Sequence, residues 1–169
     1  PTQDVTNKGV SAQVDIDFDA IKLTSITSYR QNRGITSVDV DFSSAAFFGV
    51  SPTDATYKTF TQELRLTSDN DGPFNWLIGG FYFHETIDID ARVIWGATGR
   101  PYFQAVIKAA LGAAGVPPTA LDDAEAALGL APGTFFAPGT GSFEQFAHRD
   151  DSISVFTQLD YELTDNLTL

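Results

Sequence analysis

Asp15, Asp17 and Asp19 place three carboxylates at a spacing of two, and grouped carboxylates are the material of general acid and base catalysis. On a strand, however, that spacing lines one face with charge, as a wet face requires. His84 beside Glu85, and His148 further along, offer imidazole nitrogens that could meet at the mouth of one hairpin and hold a metal; two solvated loop histidines are the plainer reading. Thr67, Asp69, Asp71 and Gly72 come close to a calcium loop, but its first position is Thr and its twelfth is Ile78, where a bidentate Glu is needed. A hairpin turn suits those residues better. No Ser or Thr stands in a nucleophile motif, no glycine-rich phosphate loop is present, and there is no cysteine. The expectation is a protein that is not an enzyme, with no catalytic residue, no bound metal and no cofactor.

Binding chemistry is gathered elsewhere. Arg92, Trp95, Arg100, Tyr102, His148 and Arg149 combine cationic and aromatic side chains, which suits an anionic, ring-bearing small molecule such as a metal chelate. All belong to one long connection, residues 88 to 151, which is too long for a structureless loop unless it has a role. Within it, Val106, Ile107, Ala110 and Leu111 recur at helical spacing across 101–114, and Gly115, Pro117 and Pro118 follow as a stop. A second short helix is expected from a Thr119 cap through Leu128, closed by Gly129.

The elements that carry this connection read as strands. Val14, Ile16 and Phe18 alternate with the three aspartates, and a tight Asp19-Ala20 link leads into 21–32. There Ile21, Leu23, Ser25, Thr27 and Tyr29 share one face, opposite Lys22, Thr24, Ile26, Ser28 and Arg30. A long loop is expected over 33–59. Strand three, 60–68, sets Phe60, Gln62, Leu64 and Leu66 against Thr61, Glu63, Arg65 and Thr67. The turn formers 69–73 join it to strand four, 74–87, which is crowded with apolar residues on both faces. Ile153, Val155, Leu159, Tyr161 and Leu163 mark strand five, and Thr164-Asp165-Asn166 turns into a sixth.

The connections therefore run short, long, short, long, short. An outer-membrane barrel has that asymmetry, with tight periplasmic turns and extended outer loops. Tyr29, Trp76, Tyr82 and Tyr161 are the expected membrane-interface aromatics. The fold class expected is all-β: an antiparallel transmembrane β-barrel segment of about six strands, part of a larger barrel, with a long and partly helical extracellular loop. The stretch 126–143 is uncharged, and its Gly and Pro residues forbid a spanning helix. A soluble β-sandwich that binds a carbohydrate or another ligand alternates in the same way, and a porin-like barrel is a third reading.

Net charge is −12 with ten Lys and Arg, so a nucleic-acid partner is excluded by the lack of a phosphate-tracking surface. The first residue is Pro1, no Met occurs, and Leu167-Thr168-Leu169 breaks off an alternation, which reads as a fragment.

Three stretches carry a resemblance. Leu23-Thr24-Ser25-Ile26-Thr27-Ser28-Tyr29-Arg30 looks like a barrel strand of TonB-dependent outer-membrane receptors. The segment 60–68 with its QELRL core, followed by 74–83 with Trp76, Gly79 and Phe81-Tyr82-Phe83, resembles two further wall strands of that family. Residues 154–165 are similar to the strand and turn after its large loop. The matches come in the family's order and cover about half of the chain, so residues 1–169 would be a partial barrel without plug domain or remaining strands. The resemblance implies a 22-stranded plugged barrel in the outer membrane of a diderm bacterium. It implies active import of a scarce nutrient, such as a ferric siderophore, with outer-membrane lipid and a small-molecule ligand as partners. The TonB-ExbB-ExbD complex would supply energy through N-terminal parts that this sequence lacks.

Overall fold

A computed structural model describes residues 1–42, 44–68, 72–111, 115, 119–164 and 166–169. The turn residues Asp69, Asn70 and Asp71, the expected helix end at Ala114, Pro117, Pro118 and Asp165 lie outside the described residues.

The chain is mostly antiparallel β. Its elements are β1 (Thr2–Phe18), β2 (Ile21–Asp39), β3 (Val50–Ser68), β4 (Phe74–Ile94), α1 (Gly99–Leu111), α2 (Ala120–Ala127), β5 (Gly141–Thr164) and β6 (Leu167–Thr168). The six strands form one sheet in sequence order, each bonded to the next. A sandwich would divide its strands between two packed sheets, and this meander does not.

Each strand outruns the stretch that its alternation marks. β2 continues to Asp39, β3 begins at Val50 within the expected loop, β4 reaches Ile94, and β5 starts at Gly141. The connections shrink accordingly, to residues 40–49 and 95–140. The extra lengths, such as 50–58 and 141–152, have mixed or polar side chains on both faces. Backbone pairing needs no apolar face, so they stay strands without the pattern that betrays one. Helix α1 likewise starts two residues before its expected beginning, at Gly99. Thr119 precedes α2 but makes no side-chain cap bond; its hydroxyl donates to the Asp123 carboxylate at 2.8 Å instead. The backbone of Thr119, at φ −91° and ψ 11°, lies outside the extended region in which a capping oxygen reaches back to the helix amides.

Two compact units divide the chain. One comprises residues 1–5, 34–55 and 89–146, and so holds both long connections; the other comprises 6–33, 56–88 and 147–169.

In the second unit the two faces of the sheet sort by chemistry, and side-chain contacts fix which residues share a face. Asp19, at φ 41°, turns β1 into β2. Lys22 then meets Asp17 at 3.9 Å and Thr24 donates to Asp15 at 2.6 Å, both on one polar face. Thr59 donates to Glu85 at 2.8 Å, and Glu63 and Arg65 form an ion pair on the same side of β3. The crowding of β4 resolves at Gly79, where an added Cβ would lie 2.3 Å from the Phe156 ring. That glycine makes room for an aromatic of the next strand, so part of the otherwise polar face is closed by rings.

On the opposite face lie Val14, Ile16, Phe18, Ile21, Leu23, Leu64, Leu66, Ile78, Ile153, Val155, Leu159 and Leu163 by alternation. These side chains are uncovered: Ile153 is 80% exposed, Val155 76% and Leu159 61%. Among the described residues Leu121 is the one large apolar side chain that is buried. Among the described residues nothing packs over this face.

Candidate functional site

The uncovered face forms a belt with defined limits. Along β5 it runs from Ile153 to Leu163, a rise of about 33 Å at 3.3 Å per residue. At the 35–45° tilt of outer-membrane barrels this projects to about 25 Å, the height of their lipid-facing band. Along β4 the expected interface aromatics Trp76 and Tyr82 are both on this face, about 20 Å apart. Tyr161 lies near the turn that follows β5, as Trp76 lies near the turn before β4, while Tyr29 and Tyr82 stand at the other end of the belt.

Polar groups within the belt are satisfied by one another. Thr27 donates to Gln62 Oε1 at 2.5 Å, and Gln62 Nε2 donates to Ser25 Oγ at 3.0 Å. The Thr157 hydroxyl donates to the Leu77 carbonyl at 3.0 Å. Each of these groups thus has its partner within the sheet.

Ion pairing begins just past the belt. Asp151 accepts from Arg149 Nε at 2.7 Å and from the Tyr82 hydroxyl at 2.9 Å, and His84 Nδ1 lies 2.7 Å from it. His84 shares the face of Asp151, so alternation sends His148 to the other face. The two histidines do not converge on a metal, and among the described residues no group of three or more His, Cys, Asp or Glu is placed to hold one.

In the first unit the connection 95–140 is ordered from within. Arg100 Nη1 donates to Glu125 Oε1 at 2.7 Å and to the Phe135 carbonyl at 2.8 Å, while Nη2 reaches Asp122 at 2.6 Å and Glu125 Oε2 at 3.0 Å. Glu125, which is fully buried, also accepts from the backbone N–H groups of Gly133 at 2.8 Å and Phe135 at 2.6 Å. One carboxylate thus ties α1, α2 and the chain beyond α2 together. Beside it an aromatic cluster joins both long connections: Phe48 meets Trp95 at 5.4 Å, Phe47 meets Tyr102 at 4.2 Å, and Phe103 stacks on Phe136 at 4.3 Å. Backbone bonds from Gly96 to Phe47 and from Thr98 to Ala46 fasten the same contact.

The expected binding residues therefore have different surroundings. Trp95 and Tyr102 both contact Phe103 in the cluster, and Arg100 has its donors engaged within the connection. Arg92 lies 5.4 Å over the Phe143 ring and borders a cleft of about 270 Å³. Arg149 is paired to Asp151, and His148 is exposed; both belong to the second unit. Glu125 escaped the sequence reading although a signal existed: Leu121 and Glu125 are four apart on one helix face, which places a carboxylate in line with the buried side.

The Arg100 guanidinium, with the Phe135 and Gly133 amides behind it, lowers the Glu125 carboxyl from 4.5 to about 2. A carboxyl depressed on folding adds stability above its unfolded value and loses it as pH falls through the folded one. Amide exchange protection at Gly133 and Phe135 is thus expected to hold above pH 4.5 and to fade as pH falls from there towards 2. Exchange followed by mass spectrometry over that range checks it.

Comparison with protein-family models, with curated proteins and with solved structures returned no match to this chain. Among the described residues no helix is long and apolar enough to cross a membrane.

Proposed function

We propose that this chain is wall and outer loop of a transmembrane β-barrel in a bacterial outer membrane, part of a TonB-dependent importer of a scarce small-molecule nutrient. The observation that carries the reading is the uncovered apolar belt, matched in height to a bilayer, edged by aromatics and closed to its own polar groups. Lipid is the solvent that such a face fits. The terminal strands β1 and β6 then need neighbours, because backbone amides in hydrocarbon must all be paired and only closure achieves that.

Import, rather than passive diffusion, is supported by the resemblance of β2, β3, β4 and β5 and by the form of the connection 95–140. A diffusion pore has no use for a loop with its own buried ion pair and aromatic cluster, whereas a capturing loop needs a fixed shape to present Trp95 and Tyr102 beside Arg92 of β4. The TonB complex is the proposed energy source, and an anionic metal chelate the proposed cargo.

Replacing residues 95–140 by Asn-Gly tests this in cells. β4 and β5 are adjacent antiparallel strands, so two residues suffice to join them. Heat-resistant barrel migration is expected to persist while ligand uptake falls to background. Unchanged uptake by the shortened protein would show the connection to be a spacer.

A further inference from the structure

The polar face of the second unit holds a groove of about 950 Å³ on the side away from the apolar belt. Arg30 lies on its floor, with Asn7, Ser11, Ser28, Asn32, Tyr57 and the Thr59–Glu85 pair around it. Arg30 is exposed and has no hydrogen-bond or ion-pair partner among the described residues, in contrast to Arg65, Arg100 and Arg149. Gly9 faces it across β1: a Cβ there would come within 3.1 Å of Arg30 Cγ, so the absent side chain leaves the arginine stem its room. Glu85 has its carboxylate engaged by Thr59, which leaves it an acceptor for hydroxyl groups and fixes its position. Besides the unpaired planar cation of Arg30, the lining has Lys8, one tethered acceptor, and amides and hydroxyls that both donate and accept.

We propose that this groove binds a small hydroxylated carboxylate of the sugar-acid type. The Arg30 fork takes the carboxylate in two parallel bonds, and a guanidinium matches that planar group better than an ammonium does. Asn7, Ser11, Ser28 and Asn32 take the ligand's hydroxyls, and Glu85 accepts from one of them. Selectivity follows from the cation: a neutral sugar of the same size makes the hydroxyl contacts but leaves Arg30 without its partner. The groove and the apolar belt lie on opposite faces of the sheet, so binding here and lipid contact there are tested separately.

Titration calorimetry on the purified protein in zwitterionic detergent micelles tests the site, with glucuronate as probe and glucose as the neutral control. Saturable glucuronate binding is expected, with glucose at least about tenfold weaker, as loss of one charge-assisted contact implies. Arg30→Gln is expected to weaken glucuronate by a similar factor, Arg30→Lys to retain part of the affinity, and Lys58→Gln, between Tyr57 and Thr59 and so on the other face, to bind as the parent does. Gly9→Ala keeps every charge and crowds only the Arg30 stem, so weaker binding in that variant ties affinity to the arginine's placement. No saturable glucuronate binding by the parent, equal binding of glucose, or parent-like affinity in Arg30→Gln would overturn the proposal. Circular dichroism of each variant establishes that it is folded.

Discussion

Leu159→Lys is expected to cut assembly of the protein into outer membranes severely, while Gln158→Lys, one residue away, is expected to be tolerated. Leu159 lies midway along the Ile153–Leu163 stretch, on the uncovered face, and is 61% exposed. A lysine at the bilayer midplane of a barrel costs about 2–4 kcal/mol. Gln158 lies on the other face, where its amide already donates to Asp160 at 2.9 Å, and an ammonium there keeps an acidic neighbour in water. The check is the fraction of each variant recovered as heat-resistant barrel. Equal recovery of both would remove lipid from the description of β5. A water-soluble sheet would also give that result, since an exposed leucine on its surface can be exchanged for lysine at little cost.

The second large effect concerns the connection between β4 and β5. Arg100→Ala is expected to open residues 99–135 to protease in intact cells, with the strands unaffected. Removal of the guanidinium strips Glu125 of both its charge partner and two hydrogen bonds, yet leaves the carboxylate enclosed with only the Gly133 and Phe135 amides. Breaking an enclosed pair from one side is far more damaging than losing an exposed one, because the remaining charge has no solvent. Glu125→Gln is expected to be milder, since an amide can still accept from those N–H groups and carries no charge. Limited proteolysis with mass mapping reads both. If Arg100→Ala resisted cleavage as the parent does, the ion pair would be incidental to the order of this connection.

Legibility in the sequence followed from where one face of a strand differs from the other. The Val14-Ile16-Phe18 stretch, Ile21 to Tyr29, Phe60 to Leu66 and Ile153 to Leu163 alternate because they have a wet face and an apolar one, and each was found as a strand. Thr2 to Gly9, Val50 to Lys58 and Gly141 to Ser152 are strands as well, but their two faces are alike in polarity and no period survives; Asp88 to Ile94 does alternate, Asp88, Asp90 and Arg92 against Ile89, Ala91 and Val93, and this signal was passed over in favour of the long connection. Both helices were visible in outline, through the spacing of Val106 and Ile107 and through Gly129 after α2, whose φ is 69°. The order within the long connection was not. Phe47 and Phe48 reach Tyr102 and Trp95 from the connection between β2 and β3, a contact that tertiary placement alone creates. Arg100 carried the right chemistry in the sequence, a fork for paired acceptors, but nothing local says that Asp122, Glu125 and the Phe135 carbonyl occupy it.

The proposal that the belt faces lipid is tested most directly by single cysteines placed one at a time from Ser152 to Leu163, labelled with an environment-sensitive fluorophore in outer membranes enriched in dibrominated lipid. The chain has no cysteine of its own, so each label reports one position. Bromine quenches only by contact, which separates lipid from a merely apolar protein neighbour. Strong quenching at 153, 155, 157, 159, 161 and 163, and weak quenching at the positions between them, is the expected result. Quenching that is absent throughout, or that shows no alternation along β5, would contradict a bilayer as the solvent of this face.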